Sequence, residues 1–388
     1  MSARAAVLAL LLAACAPARP PADAQAETGA RLYVTNQDDA TISVIELPAH
    51  RVIETVDLRR LGFGANARPH HAQVEWDGSA WYVTLIGEGK VLKLDRRQRP
   101  VAAADVEVPG LLALHPTRDL LFVARSMSAV NPPARLAVIR RSDMRLLEEI
   151  DLVFPRPHAL AVHPTGGSVY VASLGVNQLA SIDVEKGDVR LVDVPGPARG
   201  FVQAAVSPHG RWLALTAELS GELLVFDLAD PAVPNLAHTI PLAAGPFEPV
   251  FTSDGRWIYV TNLTANRVSV VDTRTWRVAA EIAHEAFAQP HGVGLSPDGR
   301  YVYASNRHQH GGVHDHAGGR PAGAGSVVAI CVSTRLVEAV MPVGAYAAGI
   351  GVERRSRGAG PGLDAGTGGG AGAGAGARAE TASCPPPG

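Results

Sequence analysis

QPHGVGLSPDGRYVYASN, from Gln289 to Asn306, spells a β-hairpin. GVGLS is a short run of small and apolar residues, and Pro297-Asp298-Gly299-Arg300 is a turn whose glycine can take a positive φ at no steric cost. YVYAS is a β-prone run with alternating faces. The same pattern returns upstream as HHAQVEWDGSAWYVT from His70, LLALHPTRDLLFVA from Leu111, HALAVHPTGGSVYVAS from His158, VQAAVSPHGRWLALT from Val202 and FEPVFTSDGRWIYVTN from Phe247. The copies recur at intervals of roughly 42 to 57 residues, near the period of a four-stranded blade.

An incomplete copy opens the repeat region. Arg31 to Leu58 supplies a second, third and fourth strand with no first strand before them, while the chain after the last full copy ends in an apolar segment from Ala348 to Glu353. Joining the two makes seven blades, an all-β, seven-bladed β-propeller over residues 30–353, closed by N- and C-terminal strands of one blade. Closure removes the sheet edges that an open array would expose.

The flanks read differently. Arg4, an apolar run from Ala5 to Leu12 and the small residues before Cys15 predict a secretion signal over residues 1–15, too short to span a bilayer permanently. The pattern resembles the bacterial lipoprotein signal, which implies that Cys15 is lipidated. Residues 16–29 then form a Pro/Ala tether. The expected location is the periplasm or cell surface, with the membrane reached through a lipid anchor only. Residues 354–388 are a Gly/Ala-rich tail without periodicity, expected to be disordered and dispensable for thermal stability. Of the three cysteines, Cys331 lies in an apolar strand and is expected to be a buried thiol, so no disulfide framework is predicted. A net charge of -2 argues against nucleic-acid binding, and a monomer is expected.

Candidate chemistry follows from blade geometry. Histidines open the first strands of blades 2, 4 and 7, at His70, His158 and His291, where the other copies have Gly110, Val202 and Phe247. On the same face the loop after the second strand of blade 7, RHQHGGVHDHAGGRPAGAG, carries His308, His310, His314 and His316. These seven histidines predict a site for a divalent transition metal, copper or zinc. Arg68, Arg156 and Arg199 suggest a partly basic rim. Glu218 and Glu248 are expected to reach the histidine face, and His115 and His163 to be turn residues on the opposite one. The sequence contains no CxxCH, no GxSxG and no phosphate-binding glycine loop.

YVTN at Tyr33 and again at Tyr259, with YVTL at Tyr82, YVAS at Tyr170 and YASN at Tyr303, resembles the YVTN-repeat propellers of exported bacterial and archaeal proteins. That family is similar to the propellers of cytochrome cd1 nitrite reductase and nitrous oxide reductase. The resemblance implies a seven-bladed disc and no single activity. The favoured expectation is a binding or scaffold lipoprotein that presents its histidine face to a protein or small-molecule partner. A metal- or haem-dependent redox accessory and a lactonase-like hydrolase are the alternatives.

Overall fold

The computed structural model describes residues 29–127, 130–131, 133–308, 323–354 and 384–386. They form seven four-stranded antiparallel sheets. The first strands are Ala347–Val352, Pro69–Val74, Leu112–Leu114, Pro157–Val162, Phe201–Val206, Pro246–Phe251 and Pro290–Leu295, for blades 1 to 7 in turn. Each touches the first strands of the blades on either side, so the seven close a ring around a central channel. The second strands carry the YVTN-like runs and are buried almost throughout, packed between neighbouring blades. The fourth strands alternate exposed and covered residues, as in Arg277–Ala283, and put their charges on the outer edge, where they discourage pairing with another chain.

Blade 1 is closed as the sequence predicts. Leu32, Tyr33 and Val34 pair with Val352, Gly351 and Ile350, and Asn36 pairs with Ala347. Arg96 of blade 2 holds both ends of the propeller segment at this seam. Its Nη2 donates to the Gly29 carbonyl at 2.9 Å, and its Nε lies 3.0 Å from the Glu353 carboxylate. The inserted strand AAGIGV is small because its neighbours leave little room. A Cβ at Gly349 would come within 2.5 Å of the His70 carbonyl oxygen, and one at Gly292 within 2.3 Å of the Ala348 oxygen.

The cysteine expectation needs correction. Cys331 is disulfide-bonded to Cys384, with Cα atoms 5.6 Å apart. Cys384 is fully buried in the cluster that contains Leu32, Ile45, Tyr301 and Tyr303, at the junction of blades 7 and 1. Its N–H donates to the Tyr301 hydroxyl at 3.2 Å. Composition hid this because a glycine-alanine linker can still deliver one apolar, bond-forming side chain to a distant socket. Residues 1–28, with Cys15, and 355–383 lie outside the described residues.

Two measurements check the seam. Cys331→Ser should lower unfolding stability by about 2–5 kcal/mol, and reductant should destabilise the parent chain while leaving the variant unchanged. Gly349→Ala should cost about 1–3 kcal/mol in chemical denaturation, because the methyl group has only backbone to meet.

Candidate functional site

The site is built from a repeated solution to a backbone problem. In every blade except blade 3 the first strand slips register against the second near its second residue, so an N–H there loses its ladder partner. The third letter of the YVTN-like run supplies the acceptor. Thr35, Thr84, Thr216, Thr261 and Ser305 accept from the N–H groups of Gly349, His71, Gln203, Glu248 and Gly292 at 2.8–3.1 Å. Four of these hydroxyls also donate across to the next blade: Thr35 to the His70 carbonyl, Thr216 to Phe247, Thr261 to His291 and Ser305 to Ala348.

Blade 4 lacks that hydroxyl, since Ala172 stands in its place. Here His158 makes the crossing itself, its Nδ1–H donating to the Val202 carbonyl at 2.6 Å. Blade 2 reaches blade 3 through His71, whose Nδ1 accepts from the Leu112 N–H at 3.2 Å. On the turn face His115 Nε2 faces the Gly166 carbonyl and His163 Nε2 the Gly210 carbonyl, each at 3.0 Å. These two are turn residues, as expected, that also tie adjacent blades.

His70 and His291 are drawn together. They flank Ala348, whose small side chain leaves the rings in edge contact with centroids 6.0 Å apart. Both are 2% exposed. The Gln37 Oε1 lies 3.0 Å from His70 Nδ1, which assigns the proton to Nδ1 and the lone pair to Nε2. His291 lies on the Phe247 ring at 4.1 Å. His308 is at the same mouth, with Nε2 2.9 Å from the Ser326 hydroxyl. His310, His314 and His316 lie outside the described residues. Among the described residues, the one group of three His, Cys, Asp or Glu donors within 4.8 Å of one another is Cys331, Glu338 and Cys384, where both thiols are in the disulfide.

The residue directly after each YVTN-like run lines this mouth, and sequence reading passed over most of that ring. It holds Gln37, Glu218 and Arg307 in blades 1, 5 and 7, and Ile86, Leu174 and Leu263 in blades 2, 4 and 6. Leu174 and Leu263 pack with Val202 and Phe247 into an apolar half. Arg307 belongs to the polar half. It is 3% exposed, with its guanidinium 4.4 Å from the Tyr346 ring centre and 5.4 Å from that of Phe247. Burial lowers its pKa from the ordinary value, opposed by the charges of Tyr346, Glu218 and Asp38. Among the described residues neither its Nε nor its Nη2 has a hydrogen-bond acceptor. Aligning the residue after YVTN across the blades would have revealed it.

Other expectations resolve by position. Arg199 is taken up inside blade 5 by Glu222 and by the Pro195 carbonyl. Burial lowers the pKa of Arg156. Glu218 does sit at the mouth, but Glu248 turns into the channel interior, where its Oε2 accepts from the Val293 N–H at 3.2 Å. Burial pushes Glu248 up to about 8.

Over residues 97–317, more than half of the chain, the sequence matches the model of a family described as lactonase, seven-bladed β-propeller. The chain belongs to that family of seven-bladed propellers. Among curated proteins it is 25% identical over 235 residues to antigen Lp49 of Leptospira interrogans, covering 52% of this chain and 47% of that one. The chain thus spans about half the length of the curated relative it matches. Among solved structures it superposes on the periplasmic gluconolactonase PpgL of Pseudomonas aeruginosa with a TM-score of 0.65 at 18% identity, covering 84% of this chain and 99% of that one. A functionally unknown protein of Desulfotomaculum acetoxidans gives 0.67 at 12% identity, covering 84% and 99%. The dihydro-heme d1 dehydrogenase NirN gives 0.56 at 15%, covering 86% and 77%. At these identities the likeness shows the fold.

Two outcomes follow from the histidine geometry. His158→Ala should cost about 1–3 kcal/mol, and adding Ala172→Thr to that variant should recover part of the loss by restoring the missing hydroxyl. Burial holds His71 down at about 4, from an ordinary 6.5. The unfolded chain therefore takes up a proton on this side chain that the folded one refuses. The stability it contributes is complete above pH 6.5 and is lost as pH falls toward 4, amounting to about 3 kcal/mol. Denaturant titrations at pH 7 and pH 5 should show a smaller acid loss in His71→Gln than in the parent.

Proposed function

We propose that the chain hydrolyses a lactone at the channel mouth lined by His70, His291 and Arg307. The observation that carries this reading is Arg307, a buried guanidinium with unpartnered donors beside an imidazole pair, in a chain of the lactonase propeller family. Ring opening of a lactone needs a base to take a proton from water and a cation to hold the carbonyl oxygen as it becomes anionic. His70, oriented by Gln37 on Nδ1, is the base that takes the water proton at Nε2 and returns it to the ring oxygen as the oxyanion collapses and the acyl C–O bond breaks. Arg307, fixed against two aromatic rings, offers the planar fork for the oxyanion and then for the product carboxylate. The apolar half of the mouth gives the ring carbons a surface to lie on.

The chain is further proposed to act outside the cytoplasm, tethered by lipid on Cys15. Its disulfide supports that placement, since such bonds persist in oxidising compartments. Mass spectrometry of the mature N-terminus should find a diacylglyceryl group on Cys15, and an unmodified N-terminus downstream of it would overturn the anchor.

A metal site at the same mouth is the second reading, favoured by the His70–His291 contact. Two imidazoles at that spacing could share one zinc or copper ion, with His308, His310, His314 or His316 completing the set and His158 behind them. A binding role toward a protein or small molecule, or a redox accessory role, would use this same face.

Hydrolysis of D-glucono-1,5-lactone, followed by acid release with and without chelator, separates these readings. Lactone opening through the chain's own residues predicts chelator-insensitive activity, reduced roughly 100-fold in Arg307→Gln and in His70→Asn. Activity lost to chelator and restored by zinc favours the metal. No rate above the spontaneous one on this lactone, its 6-phospho form or a γ-lactone overturns the hydrolase.

A further inference from the structure

The other half of the channel holds a second feature that the mouth does not use. A cavity of about 380 Å³ opens among the hairpin turns, walled by Val250, Val293 and Ile350, with Gln73 beside them and Trp76 at the rim. Its volume is in the range of small-ligand sites. Glu248 lies at its inner end. The side chain occupies the third position of its strand, where the other blades have Gly349, His71, Leu112, Ala159, Gln203 and Gly292, so it is the single carboxylate of that ring. It is held firmly. Thr261 fixes its N–H and the Val293 N–H occupies Oε2.

Few charges face it. His71 on the blade 2 strand is kept neutral by burial and has its Nδ1 on the Leu112 N–H. His291 on the blade 7 strand lies toward the mouth against Phe247, Gln203 on the blade 5 strand is uncharged, and the blade 1 strand Ala347–Val352 is small and aliphatic, followed by Glu353, which is paired with Arg96, and by Arg354. Arg354 stands over Trp76 at the rim, 4.5 Å from the ring centre. Among the described residues no cation forms an ion pair with Glu248. Burial raises its pKa to about 8, opposed by the hydrogen bond from the Val293 N–H.

We propose that this cavity binds a small organic cation, an alkylammonium whose charge meets the Glu248 carboxylate and whose chain lies along Val250, Val293 and Ile350. A half-buried carboxyl group set beside Val250, Val293 and Ile350 gains most from a partner that brings positive charge and N–H donors. A metal ion is the poorer fit, because among the described residues no second and third donor stand within ligand range of Glu248. The inference is independent of hydrolysis at the mouth.

Isothermal titration with n-butylammonium chloride tests it, with n-butanol as the neutral counterpart. The parent chain at pH 7 should bind the ammonium roughly 10-fold or more tightly than the alcohol. Binding should release about one proton, read from the heat in buffers of different ionisation enthalpy, because Glu248 is protonated in the empty site and ionised in the filled one. Glu248→Gln, which keeps the acceptor for the Val293 N–H, should abolish the preference. The melting temperature of the parent should rise with n-butylammonium and not with n-butanol, a readout that needs no variant. Equal binding of the two probes, or equal affinity in parent and Glu248→Gln, would overturn the site.

Discussion

The ring depends on how its first strands satisfy their backbone at the slip in register. A bulged N–H buried beside the channel has no ladder partner and no water, and leaving it unpaired is costly. One hydroxyl settles two debts there, taking the N–H of its own blade and giving its proton to a carbonyl of the next, as Thr261 does between Glu248 and His291. The bulge that creates the need also decides which side chains project inward. His70, His291 and Glu248 are at the channel because of it.

This arrangement explains why histidine recurs at the mouth without one role. His158 does the work of an absent hydroxyl in blade 4, whereas in blade 7 the hydroxyl of Ser305 makes the crossing and in blade 2 the contact to blade 3 runs through His71. The closing strand adds the second condition. It must be narrow enough for Gly349 to pass the His70 carbonyl, and the same narrowness at Ala348 lets His70 and His291 meet. Closure of the ring and assembly of the mouth are thus one constraint seen from two sides. The disulfide and Arg96 both act at that seam, where a ring of blades is covalently open.

The channel offers two environments of opposite character. At the mouth, a guanidinium lies against aromatic faces beside imidazoles, suited to developing negative charge. Toward the turns, a lone carboxyl group faces aliphatic walls, suited to positive charge. Repeat proteins allow this because each blade presents equivalent positions that can be varied one at a time without changing the backbone.

The sequence by itself determined the seven blades, the pairing of the chain's two ends and the face on which the channel histidines stand. Those follow from local rules: a turn that takes Gly299, alternation in YVYAS, and a fixed period that places equivalent residues at equivalent radii. It could not say that His158 would be spent on the Val202 carbonyl, because that depends on Ala172 in a neighbouring strand. Nor could it show Arg307 wedged between Tyr346 and Phe247, which come from three separate segments, or Glu248 turned inward from the histidine face. The pairing of Cys331 with Cys384 was likewise invisible, since the residues between them carry no pattern that fixes where the tail returns. Periodicity fixes radius and face; only the packed ring decides which neighbour each side chain meets.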